Sequence, residues 1–491
     1  MLSDQTINDF YLKLKKIVSS SPYLAYRHYN EKYSYAELYA RMLKVNAILS
    51  RYQNAQILLY ANKSVSSYAT IFSIFLSNNV WVPLSPDLPF SRNVTILKKI
   101  DPIIIFHDVT LPDDLRNYLK EKNIIMVSLE EIVQESSNNK VEFNNLPSNK
   151  QDIAYIMFTS GSTGEPKGVP MTHENYINFA LNIFKVLSFK QGEDVFSDFH
   201  DFAFDISIFS LFACVFSEGA FSPIIEKKDR ILPLGHIIDN GVTVWSSVPS
   251  VINRIKRFRP NTKHTTPIRI MFLCGEPLAL DLLYYCFENM NLPQVYNFYG
   301  LTETGVENFY HECFPEDIAK FAKFGVAPIG KPLPENFIQI TKDKELWLSG
   351  CQLTPGYLKG VSTEKFEIQN NVRWYKTGDI VEEYEGLYYC KGRVDTQVKL
   401  SGHRVELMDI EACIVRQQSI ERAICFVDNK QRIPMLIAAI KSRHQIVINE
   451  LRISLAKELP DYMIPQHFKV MDDFPLNANG KIDRKKIAEL Y

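Results

Sequence analysis

The sequence predicts an α/β protein, a large N-terminal domain of layered sheets and helices followed by a small α+β domain. Three observations carry that prediction. Short β-branched runs alternate with longer amphipathic ones. The 491 residues exceed what one hydrophobic core usually serves. From about Gly386 the texture of the chain changes. "AQILLYA", "DPIIIFHD", "DIAYIMFTS", "GVTVWSSVP" and "IRIMFLCGE" read as buried strands, and "YSYAELYARMLKVNAILSRY" carries helical spacing. Such alternation builds largely parallel sheets and puts binding loops beyond the carboxyl ends of strands.

Along the chain, "LEEIVQESSNNKVEFNNLPSNKQ" is polar and Asn-rich and reads as a surface connection. "GLYYCKGRVDTQVKLSG" reads as a β-hairpin, "RVELMDIEACIVRQQ" as a helix, and a strand, helix and strand pattern runs on to a polar end. We place the domains at 1–394 and 395–491. There is no internal repeat and no low-complexity tract.

Composition narrows the function. Apolar residues make up 46% and charged residues 23%, with a net charge of −1. That balance offers no basic excess for nucleic acid. The N-terminus lacks a signal-peptide core, and apolar stretches such as "YATIFSIFLSNNVWVPL" break before membrane-spanning length. Eight cysteines occur without a C-x-x-C pair, which argues against a zinc site or a disulfide framework. A reduced, cytoplasmic setting is expected, with the cysteines as small buried hydrophobes and Cys274 set apart as the exception.

"FTSGSTGEPKG", Phe158 to Gly168, is the stretch most suited to an anion. Glycines free backbone N–H groups to converge on phosphate oxygens, and hydroxyls and a lysine strengthen the site. It is not a Walker A loop, because Lys167 follows Pro166 and precedes Gly168. Taken alone, a Gly/Ser-rich turn of this kind is more often a plain surface loop.

The longer stretch "YIMFTSGSTGEPKGVPMTH" resembles the phosphate-loop signature of adenylate-forming enzymes, which include nonribosomal peptide synthetase adenylation domains and acyl-CoA synthetases. Further motifs follow in that family's order: "NVWVPLSPDLPFSR", "FAFDISIF", "YNFYGLTETG", "ELWLSGCQLTPGYL", "WYKTGDI", "GRVDTQVKLSGHRVEL", "LPDYMIP" and "NGKIDR". Leu301 departs from the pattern by standing where proline is usual. The resemblance covers nearly the whole chain. It implies that a carboxylate attacks the α-phosphate of ATP, releasing pyrophosphate, and that a thiol then takes the acyl group.

By that resemblance, Thr159, Ser160, Gly161, Ser162, Thr163, Gly164 and Lys167 would hold the β/γ-phosphates. Asn297, Phe298, Tyr299, Gly300, Leu301 and Thr302 would line the nucleotide, with Tyr299 stacked on adenine. Glu303 would hold Mg²⁺, a hard cation that suits oxygen ligands. Asp379 would accept from the ribose hydroxyls, assisted by Arg393, since a carboxylate has only acceptor sites. Asp395 matches the hinge about which the small, mobile domain turns. Lys481 matches the adenylation lysine, and Lys399 and Gly402 belong to the face used in thioester formation.

Asp205 is similar to the aspartate that pairs with the α-ammonium group in amino-acid-activating members. The side-chain pocket would include Ile206, Phe209, Ser246, Phe272, Cys274, Phe298, Val306 and Glu307. Cys274, Ser246 and Val306 resemble D-alanine–carrier-protein ligases, whose pockets are small. Cys274 is expected to pack against substrate and not to act as a nucleophile. Phe298 and Glu307 depart from that pattern. Glu307 answers a second amino group or faces solvent at the rim, and the rim is preferred.

The chain stops after "NGKIDRKKIAELY", so the expected acceptor is the phosphopantetheine thiol of a separate carrier protein, with coenzyme A the weaker option. Two rivals stand beside amino-acid activation: an acyl- or aryl-CoA synthetase, against which Asp205 argues, and a catalytically inactive scaffold homologue.

Overall fold

Each of the runs read as strands is a strand in the computed structural model, over Gln56–Tyr60, Pro102–His107, Ile153–Thr159, Val244–Ser247 and Ile270–Leu273. The structure describes every residue except 1, 135–139, 160–165, 261, 359–362, 395–396, 401, 418–419, 429–433, 443, 445, 476–481 and 483, and the side chains of 404 and 485. The predicted helix spans Tyr35–Leu49. It begins at a capping box in which Ser34 and Glu37 satisfy each other's backbone N–H groups.

The chain forms two compact units. The larger comprises Met1–Pro86, Ile100–Met157 and Gly168–Val394, and the smaller comprises Asp87–Lys99, Phe158–Lys167 and Asp395–Tyr491. A nine-stranded sheet carries the candidate site. Its central strands, Val195–Asp198, Val244–Ser247, Ile270–Leu273 and Val295–Tyr299, run parallel, and Phe309–Cys313 joins antiparallel beyond them. A six-stranded sheet contains Gln56–Tyr60, flanked by Val80–Leu84 and Pro102–His107 in parallel. One apolar cluster packs between helices and both sheets, with Trp81, Tyr155, Phe212 and Phe272 among its buried members.

A five-stranded antiparallel sheet completes the larger unit, with Val372–Tyr384 pairing Glu345–Gly350, Phe366–Gln369 and Leu387–Arg393. Here the structure corrects the expected hairpin over "GLYYCKGRVDTQVKLSG". Leu387–Arg393 pairs backwards with Val372–Tyr384, whereas Gln397–Leu400 pairs forwards with His403–Glu406. The tight turn lies earlier, at Glu385 and Gly386, whose φ values of 53 and 74° suit a two-residue hairpin connection. The residues read as the start of a helix at Arg404 are strand, and the helix covers Leu407–Val415.

The smaller unit has a three-stranded sheet, Ile420–Asp428, Met435–Ser442 and His467–Val470, over a core that includes Val405, Ile410, Leu436 and Leu455. Arg484 forks onto both carboxylate oxygens of Glu411, with Nη2 donating to Oε2 at 2.6 Å, and so ties the helix Arg484–Glu489 to the helix Leu407–Val415.

Two smaller expectations also change. The polar stretch before the Gly-rich loop opens with a helix, Leu129–Gln134, and buries Phe143 at 2% exposure. Cys351 and Cys390 are half-buried while the other cysteines, Cys274 included, are buried. No helix among the described residues is long and apolar enough to cross a membrane.

Candidate active site

The strand Val295–Tyr299 sorts its residues by the two-residue period of a strand. Tyr299 joins the cluster of Leu348 and Tyr375, whereas Phe298 joins the cluster of Phe272 and Phe209. Phe298, expected on both the nucleotide and the substrate sides, therefore sits with the residues expected to line the substrate. On the other face Asn297 is 2% exposed; its Nδ2 donates to Pro328 O at 2.8 Å, and its Oδ1 is buried without a hydrogen-bond partner among the described residues.

Asp379, 2% exposed, is brought to this face by the sheet register that pairs it with Arg393. Arg393 Nη1 donates to Oδ1 at 2.5 Å and Tyr299 Oη donates to Oδ2 at 2.5 Å. Arg393 Nη2 also donates to Thr377 O at 3.0 Å, which fixes the guanidinium plane. Burial, with the Asp379 charge adding to it, pushes the Tyr299 phenol well up, so it stays a donor. Each carboxylate oxygen keeps acceptor capacity beyond the one bond named here.

Gly300 and Leu301 lead into a short 3₁₀ turn, Thr302–Thr304. Glu303 in that turn is buried, and its Oε1 accepts from Tyr357 Oη at 2.9 Å. A carboxylate held this way fits Mg²⁺, which is bound through one or two carboxylates while phosphates and waters supply the rest. Tyr357 was not anticipated, and nothing in the sequence but its place in "TPGYL" marks it.

Asp205 lies half-buried between the strand Val195–Asp198 and the helix Ser207–Phe216, and its carbonyl accepts from Ile208 N at 2.9 Å. Its charge reaches Tyr155, whose phenol is pushed well up by burial, with the Asp205 charge adding to the shift. The Tyr155 hydroxyl is buried without a hydrogen-bond partner among the described residues, and the sequence reading missed it.

The predicted apolar pocket residues come together. Ile206, Phe209, Phe272, Cys274, Phe298 and Val306 all belong to one buried cluster. Phe209 stacks on Phe272 and Phe272 on Phe298, each pair with ring centroids 4.1 Å apart. Ser246 is aligned with Phe272 across the sheet, and its hydroxyl is buried without a partner among the described residues. Glu307 is 3% exposed, so the solvent-facing rim expected for it is corrected: the residue is buried.

Thr159 ends one strand and Lys167 begins the next, both half-buried. Ser160, Gly161, Ser162, Thr163, Gly164, Asp395 and Lys481 lie outside the described residues. In the smaller unit Lys399 is half-buried on the strand Gln397–Leu400, and Gly402 takes φ 84° in the turn before His403. That left-handed conformation suits glycine.

Comparison with known proteins gives a consistent result. The family model described as AMP-binding enzyme matches residues 18–358, and that of the AMP-binding enzyme C-terminal domain matches 409–481. A D-alanine–D-alanyl carrier protein ligase of Staphylococcus epidermidis is 29% identical over 481 residues, covering 95% of this chain and 96% of that one. A dimodular nonribosomal peptide synthase of Bacillus subtilis is 29% identical over 93% of this chain, which spans 20% of its length. Among solved structures, an o-succinylbenzoate CoA synthetase of Bacillus subtilis superposes with TM-score 0.83 at 20% identity over 97% of this chain and 98% of that one. The Vibrio cholerae adenylation domain AlmE, bound to glycyl-adenosine-5'-phosphate, superposes with TM-score 0.79 at 22% identity over 98% and 97%. These two share the fold. With the family model spanning most of the larger unit and a second matching the smaller, this chain is an AMP-forming ligase of the AMP-binding enzyme family, in the adenylate-forming superfamily.

Proposed function

We propose that the enzyme activates a small amino acid as its aminoacyl-adenylate and passes it to the phosphopantetheine thiol of a separate carrier protein. The observation that carries this reading is one half-buried carboxylate, Asp205, next to an apolar cluster whose phenyl rings are stacked at 4.1 Å and buried. A partly desolvated carboxylate favours a cationic partner, and an α-ammonium group supplies one. Rings in van der Waals contact leave little room between them, which favours a small substrate side chain. The ligases and synthase that resemble this chain, and the glycyl adenylate in AlmE, support the same class.

In this reading Asp205 anchors the ammonium group and thereby aims the substrate carboxylate at the α-phosphorus of ATP. The carboxylate oxygen forms the new P–O bond as the bond to pyrophosphate breaks. Asp379, held by Tyr299 and Arg393, accepts from the ribose hydroxyls, and the Asn297 side-chain oxygen suits the adenine amine. Thr159 to Gly164 and Lys167 hold the departing phosphates. Glu303 would hold Mg²⁺, which would offset charge on those phosphates. Lys481 steadies the charge developing between carboxylate and α-phosphate, since a protein that positions and neutralises supplies most of such catalysis. Lys399 and Gly402 face the incoming thiol after the smaller domain, 395–491, turns about Asp395.

The test is amino-acid-dependent ATP–pyrophosphate exchange, with glycine, D- and L-alanine, serine, larger amino acids, diamines, and fatty and aryl acids. Exchange with one small amino acid is expected. Exchange confined to acids without an amino group would replace this reading with a CoA-ligase one. A best signal with a diamine would give the buried Glu307 a direct role. Aminoacylation of a supplied carrier protein, against free coenzyme A, then tests the acceptor.

A further inference from the structure

Gln352 lies within the stretch "ELWLSGCQLTPGYL" and is 1% exposed. Its side-chain amide donates from Nε2 to Gly305 O and to Glu307 O, each at 2.8 Å, and its Oε1 accepts from Asn336 Nδ2 at 2.9 Å. Asn336 Oδ1 in turn accepts from Asn308 Nδ2 at 2.8 Å, and the same Nδ2 donates to Thr304 O at 2.8 Å. A buried chain of amides thus grips the segment 304–308 from one side.

The segment gripped is strained. Glu307 N donates to Gly305 O at 3.0 Å, closing a three-residue turn whose middle residue, Val306, has φ 71°. A β-branched residue in that conformation is an outlier, and a γ-turn with positive central φ is the rarer, costlier form. Such strain persists only where the surroundings impose it. On one side they are the Gln352 amide. On the other is Gly300, where a Cβ would lie 2.1 Å from Val306 O and 2.4 Å from Glu307 Cα, so the turn lies flush on the strand end. Gly305 is closed in likewise, since its Cβ would meet Gln352 Cβ at 2.9 Å. Val306, thus imposed, is 4% exposed in the cluster that contains Phe272 and Phe298.

We propose that Gln352 is a positioning residue for substrate selection: by clamping the strained turn it holds the Val306 side chain in the amino-acid pocket, and so restricts the accepted side chain to hydrogen or methyl. This rests on the reading of the site as an amino-acid pocket and deepens it. Glycine and alanine are the substrate class so defined. The clamp acts through Val306, and Gln352 touches no reacting atom.

Exchange kinetics on the full chain test it, with glycine, alanine, valine and leucine, on wild type, Gln352→Ala and Val306→Gly, alongside thermal midpoints. Val306→Gly keeps the clamp and adopts φ 71° without strain. It therefore stays informative if Gln352→Ala fails to fold. The expected result is a fall of about tenfold or more in the kcat/KM ratio of alanine over valine in each folded variant, the discrimination that one or two methylenes supply. The KM for ATP of Gln352→Ala stays within about twofold, as a group that selects only the acid requires. An unchanged ratio, with all four amino acids losing rate in parallel, would overturn the proposal and leave Gln352 as a stability element. Wild type active on glycine or alanine, with such variants, sinks the inference alone. Wild type inactive on every amino acid sinks the pocket reading and the inference with it.

Discussion

The phenol of Tyr299 donates to Asp379 Oδ2 at 2.5 Å, joining a strand end of the nine-stranded sheet to a carboxylate on the antiparallel sheet. Two motifs far apart in the chain thereby share one hydrogen bond. Arg393 takes the other oxygen, so removing the phenol leaves Asp379 still paired. Tyr299→Phe should raise the KM for ATP about tenfold, the worth of a hydrogen bond to a charged group. The amino-acid KM should stay close to wild type. Initial-rate exchange with each substrate varied in turn measures both, and an effect on the amino acid alone would detach Tyr299 from the nucleotide.

Asp205→Asn keeps size and removes charge. An ammonium group then loses its counter-charge, and kcat/KM for the amino acid should fall by about a hundredfold or more, in line with breaking a partly buried ion pair. The corresponding acids without an amino group should gain relative to it. Exchange with glycine against acetate reads that ratio; equal losses on both would place Asp205 outside the substrate site.

Gly300→Ala puts a methyl group into backbone, not into a flexible side chain, at 2.1 Å from Val306 O. The turn must shift, at a cost of about 1–3 kcal/mol by analogy with overpacked cores. A lower thermal midpoint and loss of amino-acid discrimination are expected together. A variant with wild-type stability would show that the turn is not pressed on this strand.

His173 should make the fold acid-labile. It is fully buried, its Nδ1 lies 2.5 Å from Tyr11 Oη, and burial pulls its pKa down to about 3. His236 and His403 are likewise lowered, each to about 4. In the unfolded chain a histidine titrates near 6.5, so between that pH and the folded value the unfolded state binds more protons. Stability is therefore fully present above about pH 6.5 and is lost as pH falls towards 3–4. The urea midpoint should drop between pH 7.5 and 5, and His173→Gln should flatten part of that slope. A midpoint insensitive to pH in this window would mean that the histidines are not buried neutral.

Lys481→Ala should abolish adenylate formation and largely spare transfer from a supplied aminoacyl-adenylate to carrier. Single-turnover assays of the two half-reactions separate these, and parallel loss would refute a role confined to adenylation.

The sequence by itself determined the fold class, the family and most of the residues discussed, because each is carried locally. The strand runs show in apolar composition. Of the residues expected in the pocket, Phe209 and Phe298 sit within the motifs "FAFDISIF" and "YNFYGLTETG", and Phe272 and Cys274 lie on or beside a strand run. The hairpin over "GLYYCKGRVDTQVKLSG" was misread, since pairing partners are chosen across sheets and local pattern does not name them, and the tight turn at Glu385–Gly386 emerged only in the fold. Only the tertiary structure decided that Glu307 is buried, that Phe298 belongs to the phenylalanine stack, that Tyr155 feels the Asp205 charge and that Tyr357 donates to Glu303. Gln352 shows the reason most clearly. A glutamine reads as a surface residue, and its role arises only when folding brings carbonyls from 45 and 47 positions away to its amide and removes the water that would otherwise satisfy them.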